Sequence, residues 1–270
     1  MALRRINSAA LILAAVFVCG CATAPGNPTF DVSAHDARKA LGEMRESPRK
    51  LERPVVVLDG LGPPAASWIL SHEVRRLTGD RRVIGVTFVF TGSFEDCRRR
   101  LIDAVERHFP SDDPHATREV DVIAVSMGGV VARYAASPPP SVVGKRLSMA
   151  RLFTISSPHR GAAMASLPPV LGRLQRDMRE DSRFLRALDR RDGGATYELY
   201  PYVRLGDRIV GETNAAPAGV RPLWLPNLLL EGAHVSCWTD PRIIADIARR
   251  LRGETPFATL PGSPLPRRRA

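Results

Sequence analysis

The sequence predicts an α/β fold, a mostly parallel sheet of about six strands with helices on both faces. Three observations predict it. Short apolar runs recur without polar alternation, segments with helical apolar spacing separate them, and the order is strand then helix from residue 54 to residue 251. Strands joined through helices pair in parallel, and a parallel sheet is covered on both faces.

The elements follow in order. Residues 22–53 read as a tether, with a loop at Ala24-Pro25-Gly26-Asn27-Pro28 and one short amphipathic helix from His35 to Glu46. Val55-Val56-Val57-Leu58 is a short buried strand, Ser67 to Leu77 a helix, and Val83 to Phe90 a second strand. Phe94 to His108 is helical, Val120 to Val125 is the third strand, and a helix through Val130 to Ala136 stops before Pro138-Pro139-Pro140. Leu152 to Ile155 is the fourth strand. Residues 162–196 break the rhythm with Pro168-Pro169 and a helical stretch carrying Leu171, Leu174, Met178, Phe184, Leu185 and Leu188. Strands at Leu199 to Leu205 and Leu223 to Leu230 and a helix from Pro241 to Leu251 complete the pattern. The Pro-rich, basic tail at 253–270 reads as disordered.

With 270 residues, 44% of them hydrophobic, the chain has enough apolar mass for one packed domain with extensions. The net charge of +11 raises nucleic acid as a partner. Nearly all of the positive charge is arginine, since Lys39, Lys50 and Lys145 are the only lysines. The arginines are scattered and form no basic stripe interleaved with aromatics, so no nucleic-acid partner is expected. Contact with anionic lipid or acidic polysaccharide stays open.

The first residues read as a targeting segment. Arg4 and Arg5 precede an apolar run from Ala9 to Val18, which is short for a membrane span. Val18-Cys19-Gly20-Cys21 resembles the lipobox of bacterial lipoproteins. That resemblance implies removal of residues 1–20, acylation of Cys21 (palmitate among the acyl chains), and anchoring in the cell envelope. Ala22 after the acylated position resembles lipoproteins of the outer membrane. Cys97 and Cys237 remain in the mature chain, and a disulfide between them or two separate thiols are equally compatible with the sequence.

The most informative segment runs from Val120 to Ala132. An apolar strand leads straight into Ser126, and a helix starts within two residues. This is the setting of a nucleophile elbow, where small residues two before and two after the serine avoid clashes across the turn. Ala124 and Gly128 hold those positions. Met127 would offer a backbone N–H to an oxyanion, and the helix N-terminus favours negative charge there. The plain alternative is a serine that caps the helix.

From Pro54 to Leu251 the chain resembles the lipase and esterase branch of the α/β-hydrolase superfamily. The segment Pro54 to Gly62 is similar to the family strand that ends in His-Gly, with Asp59 where His is usual. Ser126 and its elbow follow, and Thr154 to Gly161 resembles the family's Thr-Pro-His-x-Gly. Met178 to Leu188 is similar to a lid-region helix. The resemblance implies a second oxyanion N–H from Leu61, a supporting place for His159 near the pocket, and 162–196 as a lid or cap insertion. It also implies a triad in the order serine, acid, histidine. Asp207, after the strand at 199–205, is the candidate acid, and His234, the only histidine after Asp207, is the candidate base.

These residues imply a serine hydrolase acting on an ester or lipid substrate, with no metal or organic cofactor. Acyl transfer by the same triad and a non-catalytic surface lipoprotein on this scaffold are the alternatives. Gly60-Leu61-Gly62-Pro63-Pro64-Ala65 also matches a dinucleotide fingerprint. Pro63 and Pro64 remove N–H donors and no acidic residue closes the next strand, so that reading is set aside.

Overall fold

The computed structural model describes residues 25–266 except 63, 139–143, 167–171, 193–195 and 228–231. Cys21 and the lipobox therefore lie outside the described residues. Six strands form one sheet: β1 (Val55–Leu58), β2 (Val83–Val86), β3 (Val120–Val125), β4 (Met149–Ile155), β5 (Glu198–Arg204) and β6 (Leu223–Leu225), in the order β2-β1-β3-β4-β5-β6. Every pairing is parallel. The expected sheet is therefore present. The chain passes outward from β1 to β2 and then returns across β1 to β3. That reversal opens a crevice at the carboxyl ends of β1 and β3, where α/β sheets place their ligands.

Alternate side chains of each strand feed the two faces, as a pleated strand requires. On one face Val56, Leu58, Val122 and Ala124 pack with Leu101 and Val105 of α3 (Phe94–His108) and with Val130 and Val131 of α4 (Met127–Ala136). On the other face Val55, Val57, Ile123 and Val125 meet Leu70 and Val74 of α2 (Ala66–Thr78). Ile243, Ile247 and Leu251 of α8 (Pro241–Leu251) complete that layer. Ser93 caps α3 by accepting from the Asp96 N–H at 3.2 Å.

Four expectations change. The second strand ends at Val86 rather than Phe90, because Arg100 takes the carbonyls of Thr87 and Val89 and the backbone turns at Phe90. The last strand is β6, Leu223–Leu225, and residues 228–230 of the expected run lie outside the described residues. The stretch 162–196 forms α5 (Gly172–Asp177) and α6 (Arg183–Asp192), which are the crossover from β4 to β5. Leu174, Leu185 and Leu188 are buried in the core beside α3 and α4, and Phe184 stacks on Phe94 with ring centres 4.3 Å apart. A helix pair with this much apolar contact is part of the sheet's cover.

The fourth change concerns both ends of the domain. Residues 25–53 are docked. In α1 (Ala34–Glu46), Ala37, Leu41 and Met44 pack against Leu77 of α2 and Ala245 and Ala248 of α8. The segment 253–266, expected to be disordered, lies along the body. Trp224 Nε1 donates to the Ser263 carbonyl at 3.0 Å, and Ser263 N donates to Thr29 Oγ1 at 2.8 Å. The Thr259 N–H reaches the Thr29 carbonyl at 2.8 Å. Proline-rich composition suggested disorder, but these specific pairings outweigh it. No described helix is long and apolar enough to cross a membrane. Cys97 and Cys237 are buried free thiols in different core clusters.

Asp246 of α8 is the hinge of this packing. Its buried carboxylate accepts from Tyr202 Oη at 2.7 Å, Arg250 Nε at 2.9 Å and the Ala258 N–H at 2.7 Å. Asp246→Ala leaves a buried phenol and guanidinium without their acceptor and should destabilise the fold by about 3–5 kcal/mol. Urea unfolding of the two proteins measures the difference, and a shift below about 1 kcal/mol would be incompatible with this role.

Candidate active site

Ser126 sits between β3 and α4 with φ 52° and ψ −125°. A non-glycine residue at positive φ is strained and persists only where its surroundings hold it. Two bonds hold it: Ser126 N donates to the Ile155 carbonyl at 2.9 Å, and the Gly129 N–H donates to the Ser126 carbonyl at 3.1 Å. A capping serine would turn its Oγ onto a first-turn N–H. Ser126 makes no such bond, and its Oγ is directed elsewhere.

It meets His234. Nε2 of His234 lies 3.2 Å from Ser126 Oγ, and Nδ1 lies 2.9 Å from Asp207 Oδ2. Asp207 is buried in the loop after β5. Its Oδ1 accepts from the N–H groups of Ile209 at 2.9 Å and Val210 at 3.0 Å, an Asx-type turn that leaves Oδ2 aimed at the imidazole. Burial alone would raise the Asp207 pKa. The hydrogen bond and charge of His234 and the two N–H groups outweigh it, so the carboxyl lies below its ordinary value. Asp207 is thus anionic at neutral pH and fixes Nδ1–H as the donor, leaving the Nε2 lone pair to face the serine.

His234 stands on α7 (Ala233–Cys237), a short helix that sequence patterning missed because five residues give no periodic signal. Cys237 of the same helix is buried, and burial pushes its thiol up to about 12, so it is an inert packing group.

Two close approaches shape the space beside Ser126. A Cβ on Gly60 would stand 2.8 Å from Ser126 Cβ, and one on Gly128 would stand 2.7 Å from the Asp59 carbonyl oxygen. Only glycine at both positions lets the loop after β1 cross the elbow. This brings Gly60 alongside Ser126, where an added Cβ would stand 3.4 Å from Oγ. Asp59 fixes the loop from within: its buried carboxylate accepts from the Ser67 N–H at 2.8 Å and from Ser67 Oγ. It therefore caps α2, whose own N-cap, Ala65, has no side-chain acceptor.

His159, expected in a supporting place near the pocket, has a structural set of partners. It is fully buried. Its Nε2 lies 2.9 Å from Thr154 Oγ1, and its Nδ1 lies 3.4 Å from Arg133, which binds Asp189 of α6 at 2.8 Å. Burial, followed by the Arg133 charge, pushes its pKa well below the ordinary value, so the ring is neutral. It joins β4, α4 and α6 beneath the site. The spacing of Thr154 and His159 after a strand carried the signal for proximity but not for depth. Among the described residues, no cluster of His, Cys, Asp or Glu is arranged to hold a metal ion.

Comparison with protein-family models gives no match, and comparison with curated protein sequences gives none either. Solved structures do match. Aspergillus fumigatus lipase B is 19% identical with a TM-score of 0.52, over 87% of this chain and 61% of its own. The lin2722 gene product of Listeria innocua is 12% identical with a TM-score of 0.50, over 73% of this chain and 92% of its own. Legionella pneumophila phospholipase PlaB is similar at 12% identity and a TM-score of 0.44. The chain spans 39% of that phospholipase and 61% of lipase B. The sheet order, the elbow and the likeness to lipase B and the Listeria protein define an α/β-hydrolase fold.

The Asp59 carboxylate sets the loop over the elbow, so its removal should be felt at Ser126. Asp59→Ala should slow phosphonylation of Ser126 by a fluorophosphonate about tenfold or more. Asp59→Asn, which keeps an acceptor for the Ser67 N–H, should recover most of that rate. Equal labelling rates in the three proteins would remove Asp59 from the site.

Proposed function

We propose that this chain is a serine hydrolase that cleaves carboxylic esters through an acyl-enzyme on Ser126. The observation that carries the reading is the unbroken line of hydrogen bonds from Asp207 through His234 to Ser126 Oγ. A serine hydroxyl is a weak nucleophile, and a base within hydrogen-bond reach is what activates it.

His234 Nε2 takes the hydroxyl proton as Oγ attacks the ester carbonyl. Asp207 holds the imidazole in the required tautomer and stabilises the imidazolium. The Met127 N–H, with the α4 dipole behind it, and the Leu61 N–H receive the developing oxyanion, each contributing on the order of 3 kcal/mol. His234 then protonates the departing alcohol. Water attacks the acyl-enzyme with His234 again as base, and the serine is regenerated.

Lipase B carries a lipase's name, and its fold likeness supports an ester or lipid substrate for this chain. The reading extends to placement. The basic start, the short apolar run and Val18-Cys19-Gly20-Cys21 support export, acylation of Cys21 and attachment to the bacterial envelope, the outer membrane where there are two.

A fluorophosphonate probe should label the wild type and fail on Ser126→Ala, read by in-gel fluorescence of folded protein. An unlabelled wild type would overturn the assignment. Asp207→Asn presents the wrong tautomer of His234 to the serine, and kcat on a soluble ester should fall by roughly 10³–10⁴. A drop of less than about tenfold would mean that Asp207 is not the orienting acid.

A further inference from the structure

Large apolar side chains that stay in water are unevenly distributed on this molecule. Leu61, Phe90, Met164, Ile209 and Val235 are exposed just beyond β1, β2, β4, β5 and β6 respectively. Trp68 and Ile69 are exposed in the first turn of α2, which begins at the same end. All six strands are parallel, so these seven residues share one end of the sheet, the end that carries Ser126, Asp207 and His234. Of the other exposed large apolar side chains among the described residues, Val220 precedes β6 at the opposite end and Leu260 lies in the C-terminal segment. The opposite end shows charge instead, at Glu52, Arg81, Arg118, Glu119 and Arg221. Single exposed apolar residues are ordinary, but their gathering on one end of a fold is not.

Phe90 is the most pronounced of them. Its side chain is 98% exposed, and its backbone is left-handed at φ 63°. The loop that carries it is braced. Phe88 is buried beneath, Thr91 Oγ1 donates to the Phe88 carbonyl at 2.7 Å, and Arg100 donates to the Val89 carbonyl at 2.6 Å. Both the exposed ring and the left-handed backbone cost free energy, and such features persist where they serve a site. Cations stand beside these residues. Arg100, Arg160 and Arg208 are exposed and have no carboxylate partner among the described residues, in a chain of net charge +11.

We propose that the carboxyl end of the sheet is a lipid-docking face, with Phe90 and Trp68 as the inserting side chains and Arg100, Arg160 and Arg208 as contacts for anionic headgroups. Apolar tips spread over five separate connections, with exposed guanidinium groups on three of the same connections, suit the boundary between acyl chains and headgroups. A membrane lying on this face would meet the mouth of the Ser126 site directly. The inference stands on surface distribution and is independent of the esterase reading.

The test uses the full chain carrying Cys21→Ser, so that no acyl anchor contributes. It is mixed with vesicles of phosphatidylcholine alone and of phosphatidylcholine with phosphatidylglycerol. Co-sedimentation should favour the anionic vesicles, and tryptophan emission should shift to the blue, a shift that Trp68→Phe abolishes. Phe90→Ser should weaken partition about tenfold, with hydrolysis of a short soluble ester unchanged. No partition, equal partition onto both vesicle types, or unchanged binding by Phe90→Ser would each overturn the proposal. So would a dimer seen by light scattering that shifts Trp68 emission without vesicles. Vesicle binding without any ester hydrolysis would sink the esterase reading and leave this one standing.

Discussion

The architecture depends on how closely two stretches of backbone pass each other. The loop leaving β1 crosses the β3–α4 elbow with no room for a side chain at Gly60 or Gly128. That crossing follows from the strand order, because the chain reverses direction between β1 and β3 and must open a crevice there. Ser126 takes a strained conformation at the crossing point, held by the Ile155 carbonyl of the neighbouring strand. The helix that starts at Met127 points its amino end into the same space. The geometry of Ser126, the first turn of α4 and the loop after β1 is therefore one arrangement, and a change in any part of it displaces the others.

Buried polar groups keep that arrangement in register with the rest of the fold. Asp59 secures the loop to α2, Asp207 secures His234 to the end of β5, and Asp246 secures α8 to β5 and the C-terminal segment. The Thr154, His159, Arg133 and Asp189 chain ties the crossover helices to the layer beneath the site. Each of these groups is costly to bury and is stabilising only with its full set of partners. They specify which helix meets which strand, while the apolar core supplies the bulk of the driving force.

Much of this was legible in the chain. β1, β3, α3 and α8 match the spans read from apolar runs and periodicity, because continuous Val and Ile runs and strong helical spacing leave little ambiguity. The turn at Ser126 was legible because strand, serine and small residues fall in a short local pattern, and the order that the resemblance implied singled out Asp207 and His234, which lie within hydrogen-bond reach of each other. What was not legible is long-range or short in span. Nothing local in 253–266 announces that Ser263 reaches Thr29 or that Ala258 binds Asp246. Nothing in Asp59 alone announces Ser67 eight residues on as its partner. Helix α7 was too brief for a pattern, and the depth of His159 depends on Arg133, far from it in sequence.

The pairing of Thr29 with Ser263, 234 residues apart, has a kinetic side. α1 is made long before the residues near Ser263 that supply part of the seat of the segment leading into it. During synthesis the sheet can gather from β1 onward while its outer layer stays open, since Asn27 waits for Trp224 and Thr29 waits for Ser263. Closure is then a late step with a long loop to order, slow in the way that distant contacts are slow. The outer layer thus stays incompletely packed until Ser263 is free to reach Thr29, and α1 is the last helix to gain its full cover.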